Sequence, residues 1–377
     1  AAEVYRKILE LEPDSVPTLK KLGAAYTSLG QWDNVAVVAE RLMALAESGA
    51  DRAEWRSRLA QLYAERLNRR DEAAKLFLQL LQEGVENAAV IGGLERLAAQ
   101  GIRQAEISRS LAPQYAKAGD YQRQVASLLV QLSSVQEKEE QKHLLDLLAE
   151  TTEKRLLDER AAYEYRLRGV ALDPGDSTFR AEALRLARAQ KVHAEYSRFL
   201  IEAAAKVEDA ALARSLTLDA AEVAAEGGAI DDSASALKAA LNKNAEDVEA
   251  LGRLSTLYLK AGRLSDADGV LRKQLLLAED DEKEGLYLQL ANVSTNLSRP
   301  REAAIALAEA IKFGANEAEH LPRLAQLLES ANKPEELAHV LARLIALAEK
   351  AGDAEKVHAL SLKRAKLEET SLGDKAG

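Results

Sequence analysis

Residues 248–281, VEALGRLSTLYLKAGRLSDADGVLRKQLLLAEDD, constrain the fold more than any other stretch, because the rest of the chain varies the same theme. Leu251, Leu254, Leu257 and Tyr258 recur at helical spacing, Ala261-Gly262-Arg263 interrupts them, and Leu264, Ala267, Val270 and Leu271 resume the period. Neither helix can bury its apolar stripe alone, so the two must pair. Small Ser255 and Ala267 stand where two backbones approach closely, and Leu254, Tyr258 and Leu271 fill the space around that contact. Gly262 supplies the left-handed residue that ends a helix.

Variants of this unit run along the chain. The opening AAEVYRKILELEP matches a second helix, with Ala1, Tyr5, Ile8, Leu9 and a closing Pro13. Residues 16–45 give a complete unit, with Leu19, Leu22, Gly23 and Tyr26, Gly30 at the turn, then Trp32, Val35, Ala39 and Leu42. Residues 53–82 give another, whose turn LNRRDE is one residue longer, an insertion that a surface turn absorbs. The pattern weakens at 83–104, where Val90, Ile91, Leu94 and Leu97 mark one short helix. It returns with Leu111, Ala112, Tyr115, Gly119, Tyr121, Val125 and Leu128, although Pro113 removes a hydrogen bond inside the first helix and is expected to kink it. Residues 139–174 form a further unit, and 177–230 are helical without an assignable register. Three close copies then follow at 248–281, 284–315 and 318–348, with last helices from 354 to about 371.

The order of large and small positions around a turn, repeated over about 34 residues, resembles the tetratricopeptide repeat, in particular the long repeat proteins of bacteria of the myxobacterial type. The resemblance implies an all-α fold, a right-handed α-solenoid of stacked antiparallel helix pairs with a concave groove for peptides or partner proteins, and no catalysis. Related solenoids fit less well. The Sel1 type needs extra turn glycines, and the pentatricopeptide type pairs with a basic face for RNA. The expected organisation is one continuous array over residues 1–377, degenerate in register at about 83–104 and 177–230.

Composition supports this reading and narrows function. Aromatic content is 4%, prolines number seven, and Ala, Leu, Glu, Arg and Lys dominate, which favours helices over strands. Cysteine is absent, so there is no disulfide framework or thiolate zinc site, a usage that suits the cytoplasm first and the periplasm as well. No apolar run approaches the roughly 20 residues of a membrane span. The net charge is −10 with acids and bases interspersed, so no basic face invites nucleic acid.

Nothing in the sequence calls for an enzyme, a metal or a cofactor. The five histidines, His143, His193, His320, His339 and His358, are scattered without the paired spacing of zinc hydrolases. Phosphate loops, dinucleotide fingerprints and nucleophile elbows are absent. The Asn292-Val293-Ser294 and Asn296-Leu297-Ser298 sequons fall on an expected helix, and Glu279-Asp280-Asp281-Glu282 precedes a helix, where its exposed N–H groups favour negative charge.

Function therefore falls to the groove, which the resemblance places on the outer face of the first helix of each pair. On the well-registered units that face carries Thr256 and Lys260, then Asn292, Thr295 and Asn296, then Gln326, Glu329 and Ser330, polar groups that can hydrogen-bond an extended peptide. Chaperone-binding relatives clamp a C-terminal carboxylate with lysine and asparagine; Lys20 matches the lysine, but Ala24 stands where the asparagine belongs. The expected function is a non-catalytic protein–protein interaction scaffold, with a structural module that assembles head to tail as the alternative. The two ends fit that alternative. RAKLEETSLGDKAG followed by AAEVYRKILELEP aligns without a gap to LAQLYAERLNRRDE followed by AAKLFLQLLQEG, with Ala365, Leu367 and a turn at Leu372-Gly373-Asp374 against Ala60, Leu62 and Leu67-Asn68-Arg69. A window cut from a longer array, flanked by repeats on both sides, is thus expected.

A circular dichroism spectrum should be overwhelmingly helical, and solution scattering should show an elongated particle, because each repeat touches only its neighbours. A compact sphere would contradict the reading.

Overall fold

The computed structural model describes residues 1–369, so the turn expected at Leu372-Gly373-Asp374 lies outside the described residues. Among the described residues the chain forms 21 α-helices and no strand. It divides into two compact units at Gln190/Lys191. The first holds α1 (Ala2–Leu11), α2 (Val16–Ser28), α3 (Trp32–Ala44), α4 (Gly49–Glu65), α5 (Arg70–Gln82), α6 (Ala88–Ala99), α7 (Gln104–Ala118), α8 (Tyr121–Ser134), α9 (Lys138–Lys154), α10 (Glu159–Leu172) and α11 (Ser177–Gln190). The second holds α12 (His193–Lys206), α13 (Ala210–Glu226), α14 (Ile230–Lys243), α15 (Val248–Lys260), α16 (Leu264–Leu277), α17 (Asp280–Asn296), α18 (Pro300–Lys312), α19 (Glu317–Ser330), α20 (Pro334–Lys350) and α21 (Ala354–Leu367). Within each unit every helix packs on its neighbours in sequence, the arrangement of an α-solenoid.

Local chemistry sets the helix boundaries. Side chains of Ser48, Asn87, Asp120, Asp158, Asp209, Asp247 and Asn316 accept hydrogen bonds from first-turn N–H groups that have no partner inside the helix. Proline opens α18 and α20, where its missing N–H costs nothing. Between paired helices one left-handed residue recurs: Gly262 at φ 70°, and Asn68, Leu157, Ser298 and Asn332 at 52–57° where no glycine is present. The residue after it donates back to the first helix, as Arg263 N–H does to the Tyr258 carbonyl at 2.9 Å. In the longer turn Arg69 N–H reaches Tyr63 at 2.9 Å, six residues back rather than five, so the insertion is absorbed without changing the geometry. Pro113 does not end α7, which runs through it, as α19 runs through Pro322.

Packing relies on small residues. Ala60 and Ala73, Ala149 and Ala162, and Ala291 and Ala303 are fully buried on the two helices of their pairs, and Ser255 with Ala267 repeats the arrangement at 3% and 0% exposure. Serine hydroxyls show how close the backbones come: Ser197 Oγ donates to the Ala220 carbonyl at 2.8 Å and Ser233 Oγ to that of Ala221 at 2.7 Å. The first bond lies in, and the second reaches into, the stretch whose register the sequence hides. There the contacts of α11 to α14 are made largely by alanine and serine, so few large side chains mark the period.

Charge pairs carry the same period. Arg185 meets Glu153 at 2.6 Å, Arg253 meets Glu222 at 3.0 Å, Arg263 meets Asp231 at 2.6 Å and Lys363 meets Glu329 at 2.6 Å, with separations of 31 to 34 residues. Each links one helix to its equivalent one repeat away. The weak stretch at 83–104 is explained the same way. Arg103, at the start of α7, reaches Asp71 at the start of α5 (2.8 Å), as Arg69 reaches Asp33 one pair earlier, so α7 acts as a second helix toward α5. Toward α9 it acts as a first helix, with Arg109 on Glu140 at 3.2 Å. The alternation of roles slips by one helix here, and α6 stands without a mate of its own.

Two outcomes follow from this packing. Ala267→Leu overfills a fully buried contact and should cost about 1–3 kcal/mol, whereas Lys260→Ala trims an exposed side chain and should shift stability by less than about 0.5 kcal/mol; equal melting temperatures would contradict the assigned contact. Asp247 is buried, caps α15 and receives Arg214 at 2.5 and 2.8 Å. Those hydrogen bonds hold its carboxyl below the ordinary carboxylate pKa against the opposing push of burial. Its contribution is therefore present above the unfolded value of about 3.9 and is lost as pH falls through the lower folded value. Asp247→Asn keeps a capping group but loses the charge. It should cost about 1 kcal/mol at pH 7, since Arg214 is partly exposed, and nothing once the pH lies below the folded value. A pH-independent difference would contradict this origin.

Candidate partner-binding groove

All eight side chains expected on the groove face, Thr256, Lys260, Asn292, Thr295, Asn296, Gln326, Glu329 and Ser330, are exposed on α15, α17 and α19. Several are already engaged within the fold. Arg323 of α19 donates to Asn292 Oδ1 at 2.6 Å and to Thr295 Oγ1 at 3.0 Å, and Lys363 of α21 pairs with Glu329. Ser330 Oγ returns to the Gln326 carbonyl of its own helix at 3.0 Å. Thr256 and Lys260 border a groove of about 310 Å³ between α13 and α15, floored by Ser233 and Leu237 of α14. Arg253 lines it and crosses between the two helices, bonding the Leu218 carbonyl and Glu222. This side of the second unit is thus laced by neighbour-to-neighbour links.

A larger opening lies in the first unit. Between α2 and α4, over one face of α3, is a groove of about 1000 Å³. Its floor is apolar, formed by Val35, Val38, Ala39 and Leu42 of α3. No hydrogen bond or ion pair among the described residues joins α2 to α4. The groove also sits over a break in the core. Leu9, Leu19, Leu22, Val38 and Leu42 form one buried cluster, while Ala36 and Ala39 belong to the next, which continues through α4 to α7. Trp55 packs against both clusters.

Trp32 and Trp55, the only tryptophans of the chain, both line this groove and both are half-buried. Each carries a guanidinium on its ring: Arg66 lies 4.9 Å from the Trp32 centroid and Arg58 lies 4.8 Å from that of Trp55. Arg58 is also held by Glu54 at 2.5 Å, and Glu65 lies 3.9 Å from Arg96. Glu47 and Asp51, at the end where α4 begins, pair with no cation among the described residues; the Asp51 carboxylate receives the Ser48 hydroxyl at 2.7 Å. Lys20 lines the α2 side.

Comparison with known proteins agrees with the repeat geometry. The tetratricopeptide repeat family model matches residues 250–284, which are α15, α16 and the start of α17. The helix pair at 250–284 is a tetratricopeptide repeat. Similar solved structures include the MamA protein, 19% identical over 44% of this chain and 96% of that one with a TM-score of 0.30. A tetratricopeptide repeat protein from Parabacteroides merdae is 12% identical over 84% and 98%, TM-score 0.22. The tetratricopeptide domain of P58(IPK) is 15% identical over 88% and 94%, TM-score 0.25. Values this low say nothing about a ligand. No curated protein matches the sequence.

The tetratricopeptide pattern directs attention to the pairs of cleanest register, and those lie in the second unit. The α2–α4 groove escapes that logic because it arises where two first helices are not tied together, a property of contacts rather than of period. One sequence signal does point to it: both tryptophans of a chain with 4% aromatic residues fall within 24 positions, on the consecutive helices α3 and α4. Among the described residues no group of three or more His, Asp or Glu side chains is placed to hold a metal ion, and no helix is long and apolar enough to cross a membrane.

Proposed function

We propose that this chain is a non-catalytic protein–protein interaction scaffold whose α2–α4 groove receives a peptide or a segment of a partner protein. The observation that carries the reading is the groove itself: an apolar floor open between two helices, walled by both tryptophans and edged by charge. Such a combination of half-buried aromatic side chains and a polar rim suits a peptide-binding surface. The exposed polar residues of α15, α17 and α19 offer a second, more hydrophilic contact face. On that face, among the described residues, Thr256, Lys260 and Asn296 make no hydrogen bond or ion pair to another side chain.

A second reading, a structural module that assembles with copies of itself, is favoured by one observation. Helix α1 turns Leu9 inward but leaves Val4, Ile8 and Leu11 exposed at 58%, 37% and 85%, an apolar stripe at helical spacing.

Capture of partners on the immobilised chain separates these readings. Ala24→Phe fills the groove from an exposed position of α2 and should abolish specific capture while leaving the melting temperature unchanged; Lys260→Glu should leave capture intact. Capture lost with Lys260→Glu and kept with Ala24→Phe would move the site to the second unit. Absence of any specific partner, together with association that grows with concentration and disappears in Val4→Glu, would replace the scaffold by the assembling module.

A further inference from the structure

The chemistry of the α2–α4 groove also specifies its occupant, an inference that rests on the reading of this groove as a binding site. We infer that it takes a peptide segment in which a large apolar side chain is followed or preceded by a lysine or arginine, the apolar group lying between the indoles and the cation at the end bounded by Glu47 and Asp51.

Three features of the groove lead there. Val35, Val38, Ala39 and Leu42 expose no hydrogen-bonding side chain, so the centre of the groove favours an apolar group. Both indoles line the groove beside that floor and add hydrocarbon surface to it, each with one guanidinium on its ring. The charges around the rim are then unequal. Arg58 is spent on Glu54 and the Trp55 ring, and Arg66 lies on Trp32. Glu65 leans toward Arg96 of α6. The adjacent Arg52 reaches into the α3–α4 loop, donating to the Ala46 carbonyl at 3.1 Å, and forms no ion pair with either acid. Among the described residues Glu47 and Asp51 are thus two acids without an ion pair at one end, and Lys20 is the one cation of the facing helix that lines the groove. From Asp51 to Arg66 the helix rises about 22 Å, so this acidic end is well separated from the Arg66 end. A bound cation there meets negative charge, and an acidic side chain meets repulsion.

The test uses the full chain and a random peptide library, with selection repeated on Ala24→Phe. A synthetic peptide of the enriched sequence and its lysine-to-glutamate or arginine-to-glutamate counterpart are then titrated against the wild type, Glu47→Gln and Asp51→Asn. Fluorescence reads occupancy directly, since both tryptophans of the chain lie in the groove. The expected result is enrichment of apolar–basic sequences on the wild type alone, binding weakened about fivefold by each acid-to-amide substitution, and further loss at raised salt. Peptides that are acidic or indifferent to charge, yet still lost on Ala24→Phe, would overturn the inference and leave the groove as a binding site. Peptides that bind Ala24→Phe as well as the wild type, or no enrichment at all, would overturn the groove reading together with it.

Discussion

Where the two helices of a pair cross, the contact is made by side chains too small to hold the backbones apart. Ala60 with Ala73, Ala149 with Ala162, Ser255 with Ala267 and Ala291 with Ala303 mark that crossing, all at 3% exposure or less. Close approach lets larger neighbours such as Tyr258, Leu254 and Leu271 close around it. Gly169 carries the idea to its limit between adjacent pairs, since any Cβ there would collide with the Phe179 ring of the next helix. Because each helix completes its burial chiefly against its neighbours in sequence, the stack propagates one helix at a time. The period of ion pairs is a consequence, not a cause. Once equivalent helices stand side by side, oppositely charged residues about one repeat apart come within reach, and their partial exposure limits what each contributes.

That logic also explains where an opening can arise. Between α13 and α15, which Arg253 links, the groove measures about 310 Å³. Between α2 and α4 no such link exists among the described residues, and the groove over α3 measures about 1000 Å³. The two tryptophans partly shield it. The same residues that support the fold at this point, Trp55 above all, are those that would meet a ligand, so groove and core are not independent there.

The repeat was legible in the sequence because its markers are large residues at fixed offsets from a turn. Tyr258, Leu271 and Gly262 reveal 248–281 at once, and that stretch overlaps the matched repeat at 250–284. The degenerate stretches were not legible for two different reasons. In α12 to α14 alanine and serine make the contacts, so the period has little amplitude. At α6 and α7 the roles themselves slip, which no period can encode. The polar face of α15, α17 and α19 could be located from spacing, but spacing does not show that Arg323 and Lys363 reach across to Asn292, Thr295 and Glu329. The α2–α4 groove is likewise a matter of packing rather than of period, and its only sequence trace is the pair of tryptophans.

Hydrogen–deuterium exchange of the full chain, with and without a captured partner segment, addresses the central claim most directly. Binding in the α2–α4 groove predicts slowed exchange confined to residues 16–66, with the amides of α15, α17 and α19 unchanged. Protection that appears at 256–260, 292–296 and 326–330 while the first unit stays unaffected would contradict it.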